Sequence, residues 1–129
     1  MSISDIVSAV MSADNSVRQG GEQQIKDQRA NAATAPAFLE ALLAFVVSEG
    51  AEGDATKQSR AQFAALLIKK QYLDDRLEEE GMWQIDGSMA TSLREKIGAS
   101  LNFAAQSKGL LERKADIICK CHRKTESYQ

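Results

Sequence analysis

Metal or redox chemistry would first be sought at Cys119-Lys120-Cys121-His122, which holds both cysteines and the only histidine of the 129 residues. A shared ion needs its ligands on one side of the backbone. On a helix, residues two apart point roughly 200° from each other, so the two thiols cannot meet at one ion. The spacing also matches neither a haem-attachment nor a zinc motif. The cysteines therefore read as small hydrophobes of a helix. A single histidine excludes a His-based acid–base pair and a multi-histidine metal site. The acidic run Asp74-Asp75-Arg76-Leu77-Glu78-Glu79-Glu80 lacks the glycine and the alternating Asp/Asn of a calcium loop, and reads as a solvated connector. Gly20-Gly21 is no phosphate loop, because no strand precedes it and no Lys-Ser/Thr follows. The expectation is a chain with no catalytic, cofactor or metal site, and not an enzyme.

What remains is binding chemistry. Lys69-Lys70 stand near the end of one helical segment, and Lys120, Arg123 and Lys124 in another. Cations near helix C-termini complement the helix dipole, which by itself accounts for their placement. Trp83, the only tryptophan, reads as a buried anchor. With 16 basic against 18 acidic residues, the net charge of −2 lacks the surplus of Lys and Arg that a general nucleic-acid binder uses against phosphates. An apolar content of 43% excludes a disordered acidic or basic tail. One proline and 5% aromatics disfavour a sandwich or barrel, which leaves an all-helical fold. Two cysteines one residue apart make no disulfide framework and point to a reducing compartment. Met1 to Asp5 has no signal-peptide character, and Phe38 to Val47 is about half a membrane span and contains Glu40. A soluble intracellular chain is expected.

The elements that must position these groups follow from periodicity. Ile3, Ile6, Val7, Val10 and Met11 form one helical stripe. Ser12 to Ser16 break it and offer N-caps for a second helix over about 15–31, weak by local rules because it carries only Val17 and Ile25 besides Gly20-Gly21. Pro36 fits the first turn of a third helix reaching Glu49, whose wide stripe (Phe38, Leu39, Leu42, Leu43, Phe45, Val46, Val47) asks for two packing partners. Gly50 is the expected C-cap. A fourth helix spans about 55–73 through Phe63, Ala64, Leu67, Ile68 and Tyr72. A fifth starts near Asp86 or Ser88 and aligns Met89, Leu93, Ile97, Leu101 and Ala104. After Ser107-Lys108-Gly109, a sixth runs from Leu110 to about Arg123 and is apolar on more than one side.

Six helices pair into hairpins over about 2–31, 36–73 and 86–124, and 129 residues shared among three hairpins with their linkers give about 43 per unit, inside the period of roughly 40–47 of HEAT and armadillo repeats. Val17-Arg18 and Ser59-Arg60 open the second helices of the first two hairpins, 42 residues apart. The expected fold is an all-α solenoid of about three HEAT-type hairpins. The apolar surplus of the sixth helix suits an internal repeat better than a polar cap, so continuation into further repeats, or self-association through that helix, is expected. Two other arrangements satisfy the same pattern. One is a different HEAT or armadillo scaffold docking a partner on its concave face. The other is a self-contained bundle in which the first and last hairpins close on each other.

The order of residues resembles the N-terminal HEAT repeats of importin-β-type nuclear transport receptors (karyopherins-β), over nearly the whole chain. Ser12-Ala13-Asp14-Asn15-Ser16-Val17-Arg18-Gln19-Gly20-Gly21-Glu22 is similar to the family's S-P-D-x-x-x-R-x-x-A-E, with Ala13 for the usual proline and Gly21 for the usual alanine. Ala64-Ala65-Leu66-Leu67-Ile68-Lys69-Lys70 resembles the A-A-x-x-L/I-K-N/K stretch of the second repeat, and Arg60 stands one residue early. Trp83-Gln84-Ile85-Asp86, then Leu93-Arg94-Glu95-Lys96-Ile97 and Leu101, resemble the third repeat.

The resemblance implies a function without catalysis. In this family the second helices of the first repeats line the concave surface and bind the GTP-bound form of the small GTPase Ran, which releases import cargo in the nucleus. Cargo and nucleoporin repeats are held mainly by later repeats, which this chain lacks. Lys69 falls on the position whose lysine faces Ran and Lys70 is adjacent. Asp116, Lys120 and Arg123 are the corresponding candidates on the third repeat's second helix. Shuttling between cytoplasm and nucleus is implied, with no nucleic acid and no membrane insertion.

Overall fold

Aspartates start three of the helices, by accepting hydrogen bonds that the first turn of a helix otherwise leaves unmade. The computed structural model describes residues 2–73 and 83–127, with side-chain surroundings as far as residue 123, and all its regular elements are helices. Helix α1 (Ile3–Val10) opens on a capping box between Ser2 and Asp5, and these bonds from Ser2 hold the Asp5 carboxyl below the usual carboxylate range. Asp14 caps α2 (Asn15–Ala30), with Oδ1 accepting from Ser16 N at 2.9 Å and Val17 N at 3.2 Å. Asp54 does the same for α4 (Ala55–Ile68) and Asp86 for α5 (Gly87–Ala99). Helix α3 (Ala35–Gly50) has no side-chain cap and carries Pro36 in its first turn, where a missing N–H costs nothing. Helix α4 runs on into one π-helical turn, Lys69–Leu73, and α6 covers Lys108–Ser127.

Consecutive helices pack in pairs: α1 on α2, α3 on α4 and α5 on α6. The middle pair receives the other two, because α4 lies along α6 while α3 touches α1, α2 and α5. That explains the breadth of the α3 stripe, whose Phe38, Leu39, Leu42, Leu43, Phe45 and Val46 are all buried. Among the described residues, α1 and α2 have no substantial packing on α5 or α6, so the first and last pairs do not close on each other.

Contacts fix the relative direction of the helices. Gln62 lies against Gly109, and seven residues further along both chains Lys69 pairs with Asp116, so α4 and α6 run parallel. Glu40 pairs with Lys96, and ten residues on the Gly50 carbonyl meets Gln106, so α3 and the α5 segment also advance together. Arg60 ties the first pair to the second. Its guanidinium donates to Ser8 Oγ at 2.7 Å and to Ser4 Oγ and Ser4 O, and stacks 5.5 Å over the Phe45 ring. Twelve residues beyond Arg60, Tyr72 meets the Trp83 ring edge-on, and the Trp83 backbone N–H donates to Arg29 O.

Three expectations from sequence are corrected. Gly50 is not a left-handed cap; it is the last helical residue of α3, with Ala51 as the right-handed C-cap. A Cβ there would sit 3.0 Å from Leu110 Cδ2, so the glycine admits α6. Helix α5 ends at Ala99, which puts Leu101 and Ala104 in the following loop. Tertiary donors end it: the Ser100 carbonyl accepts from Lys114 Nζ at 3.0 Å and Gln106 Nε2 at 3.1 Å, while Asn102 Oδ1 caps a turn over Ala104 and Ala105. The sixth helix starts two residues earlier and ends four later than its periodicity indicates. The acidic run 74–80 lies outside the described residues.

A buried polar layer closes the end of the fold where the 51–54 and 100–107 loops meet. Gln58 donates to Glu52 O and Ala105 O and accepts from Ser107 N. Gln106 spans Gly50 O and Ser100 O. Lys114 beside it is 0% exposed, and burial pushes its amine below the usual lysine range.

Candidate functional site

Among the described residues no three His, Cys, Asp or Glu side chains gather where they could hold a metal ion. Cys119 is exposed and Cys121 buried, on different sides of α6, as the helical angle requires. No helix among the described residues is long and apolar enough to cross a membrane.

The surface with chemistry to offer is the outer side of α4, between α2 and α6. Helix α4 is apolar on more than one face. Ala61, Ala64, Ala65, Leu67 and Ile68 are buried, whereas Phe63 and Leu66 are half-exposed on the opposite side. Those two form a ridge with a depression on each flank. The depression toward α2 has a volume of about 250 Å³, with Val10, Ile25 and Leu67 in its wall and Glu22, Lys26 and Lys70 on its rim. The one toward α6, about 140 Å³, is bounded by Met11, Ser59, Gln62 and Arg113.

The sequence candidates take distinct places around this ridge. Successive residues of a helix point about 100° apart, and so Lys69 faces α6 while Lys70 edges the α2 depression. Lys69 Nζ lies 3.3 Å from Asp116 Oδ2, and Arg113 Nη1 lies 3.7 Å from the same oxygen. All three side chains are partly exposed. Asp116, Lys120 and Arg123 follow one another at spacings of four and three along one stripe of α6; Lys120 is half-buried and Arg123 exposed. The structure thus brings Lys69 and Asp116 into contact, seats Lys70 apart from them, and spreads Lys120 and Arg123 one and two turns onward. The Lys124 side chain lies outside the described residues.

Sequence reading missed Phe63, Leu66, Lys26 and Arg113 as members of a surface. Phe63 counted as core, although its spacing from Leu66 sets both off the Ala61–Ala65–Ile68 line. That second apolar stripe was the available signal. The charges on this side are not balanced. Glu22 is engaged by Arg18 on its own helix and Glu112 by Lys108, whereas Lys26 and Lys70 have no ion-pair partner among the described residues.

A second apolar groove runs between α3 and α5, lined by Leu43, Ala44, Val47 and Ala99 and bordered by the Glu40–Lys96 pair at 3.1 Å. On α6, Leu111 and Ile118 are half-buried and Ala115 and Cys119 exposed. No family model, curated protein sequence or solved structure matches the chain.

Proposed function

We propose that this chain is the N-terminal part of an importin-β-like nuclear transport receptor, a short superhelix of HEAT-type hairpins that binds Ran-GTP on the side built by α2, α4 and α6. The observation that carries the reading is the position of Lys69 and Lys70. They end the Ala64–Lys70 stretch that resembles the receptor family; Lys69 lies against Asp116 of α6, and Lys70 is exposed at the edge of the α2 depression. The parallel advance of α4 with α6 and of α3 with α5 supports a repeat built by translation of a hairpin.

The mechanism is coupled binding without catalysis: Ran-GTP and cargo compete for, or oppose each other through, one superhelix. Cargo and nucleoporins belong to repeats absent from this chain. Shuttling through nuclear pores, and self-association through Leu111, Ala115 and Ile118 of α6, complete the reading; the latter makes sedimentation concentration-dependent. The test is binding of the chain to Ran loaded with a non-hydrolysable GTP analogue or with GDP, beside Lys69→Glu and Lys70→Glu. Selective binding of the GTP form, weakened in both variants, is expected. Equal binding of both forms, or of neither, refutes it.

A second reading is a HEAT- or armadillo-type scaffold unrelated to Ran. The apolar ridge between two rims of mixed charge with a cationic excess favours it equally, since such a surface serves any protein with a complementary patch. A partner bound irrespective of guanine nucleotide, and lost with the same lysine reversals, would select it.

A further inference from the structure

The Lys69–Asp116–Arg113 cluster sits beside the apolar ridge, with Arg113 in the wall of the depression toward α6. Asp116 offers one carboxylate oxygen to two cations from different helices, at 3.3 and 3.7 Å, with all three groups open to solvent. Across the ridge, Glu22, Lys26 and Lys70 border the second depression; Glu22 is engaged by Arg18, and the two lysines have no ion-pair partner among the described residues. An apolar strip with two cations to one carboxylate on either side complements a segment with an apolar anchor and carboxylates to either side of it. We propose that the Phe63–Leu66 ridge docks such an acidic, apolar-anchored segment of a protein partner, and that Asp116 holds, in the free chain, the position taken on binding by one of the segment's carboxylates. This rests on the docking face proposed above and adds the chemistry of what it takes.

Asp116 on this account is not a partner contact. It keeps Lys69 and Arg113 in place and also screens them, so its charge competes with the ligand. The sign of its substitution is therefore opposite to that of the lysines. Removing the carboxylate with Asp116→Asn leaves two more cations for the incoming segment. Reversing Lys69 or Lys70 places a like charge against it.

The probe is a short fluorescent helical peptide with a single leucine stripe and glutamate at the remaining positions, with a lysine-for-glutamate counterpart as control, titrated into the full chain at low and physiological salt. Saturable binding of the acidic peptide alone is expected. It should tighten about threefold in Asp116→Asn and weaken about tenfold in Lys69→Glu, Lys70→Glu and Leu66→Ser, with the charge effects shrinking as salt rises. Far-UV circular dichroism of each variant checks that the helices are intact. No binding of the acidic peptide, equal binding of the basic one, or an Asp116→Asn affinity that is unchanged or weaker overturns the proposal. The Ran experiment keeps the two proposals separable. Acidic-peptide binding at the ridge without Ran-GTP binding removes the receptor reading and leaves this one. Ran-GTP binding with an inert Asp116→Asn, in the peptide assay as with Ran, does the reverse.

Discussion

Gly20 and Gly21 are neighbours in α2, and the same substitution at each should move stability in opposite directions. At Gly20 an added Cβ meets nothing within 4 Å. Gly20→Ala then changes only the backbone preference of an exposed helical position, a gain of about 1 kcal/mol. At Gly21 an added Cβ would lie 2.9 Å from Ala9 Cβ, 2.9 Å from Val10 Cγ1 and 3.2 Å from Val10 N. Carbon atoms in contact rest at about 3.5–4.0 Å, so α1 would have to retreat from α2 by several tenths of an ångström. One obstacle is backbone and another is a buried alanine methyl, and neither can rotate away. Overpacking of this kind costs about 1–3 kcal/mol, against the same helical gain of about 1 kcal/mol. The two variants should therefore separate by about 2 kcal/mol, with Gly20→Ala above the parent chain and Gly21→Ala at or below it. For a domain of this size, that separation is roughly 6–10 °C in the melting midpoint. Urea titrations and thermal melts followed by far-UV circular dichroism read both quantities. An unchanged urea slope would show that stability has changed without a change in the surface exposed on unfolding. If Gly21→Ala stabilises as much as Gly20→Ala, the close approach of α1 to α2 is not what holds the first pair, and the reasoning fails.

Substitutions at three further positions probe the buried polar groups. Lys114→Met keeps the length of the side chain and removes a desolvated amine, and Ser100 O retains Gln106 as donor; stability should rise by about 1 kcal/mol in urea titration, whereas Lys114→Ala should lower it by about 2 kcal/mol through the cavity. Because the folded amine titrates below its ordinary 10.5, the unfolded chain binds more protons in the window beneath that value, so parental stability should rise with pH there and the Met variant should lose that rise. Tyr72 is buried, its hydroxyl has no partner among the described residues, and desolvation holds its pKa well above the ordinary value; Tyr72→Phe should stabilise by about 1 kcal/mol in the same titration. Gln106→Ala strips a donor from both Gly50 O and Ser100 O and should cost about 2–3 kcal/mol, with hydrogen exchange accelerating first over the 100–107 loop.

Much of this protein was legible along the chain, wherever the cause is local. Asp14 and Asp54 start helices because a short carboxylate satisfies amides two and three residues on, and Asp86 does so through the amide three residues on. Apolar spacing marked the buried faces of α1 and α3. The turn angle alone separated Cys119 from Cys121. The three helix pairs follow from four-residue links at 11–14 and 51–54 and a longer one at 100–107. In each case the groups that interact lie within a few residues, so their geometry is dictated by the backbone period.

Tertiary structure decided everything whose cause is distant in sequence. Glycine at position 50 could cap a helix or admit a neighbour, and Leu110, sixty residues away, makes it the second. The close approach of Ala9 and Val10 assigns Gly21 to packing, while Gly20 merely faces solvent. Periodicity carried α5 on to Ala104, but Lys114 and Gln106 claim the Ser100 carbonyl and end it. Phe63 looks like a core residue in the sequence, and only the space left between α2 and α6 keeps it, with Leu66, at the surface. Lys69 and Asp116 became partners because α4 and α6 run parallel and side by side. A backbone repeat fixes which residues share a face; which face meets another helix, and which is left for a partner, is set by the sum of packing across the whole chain.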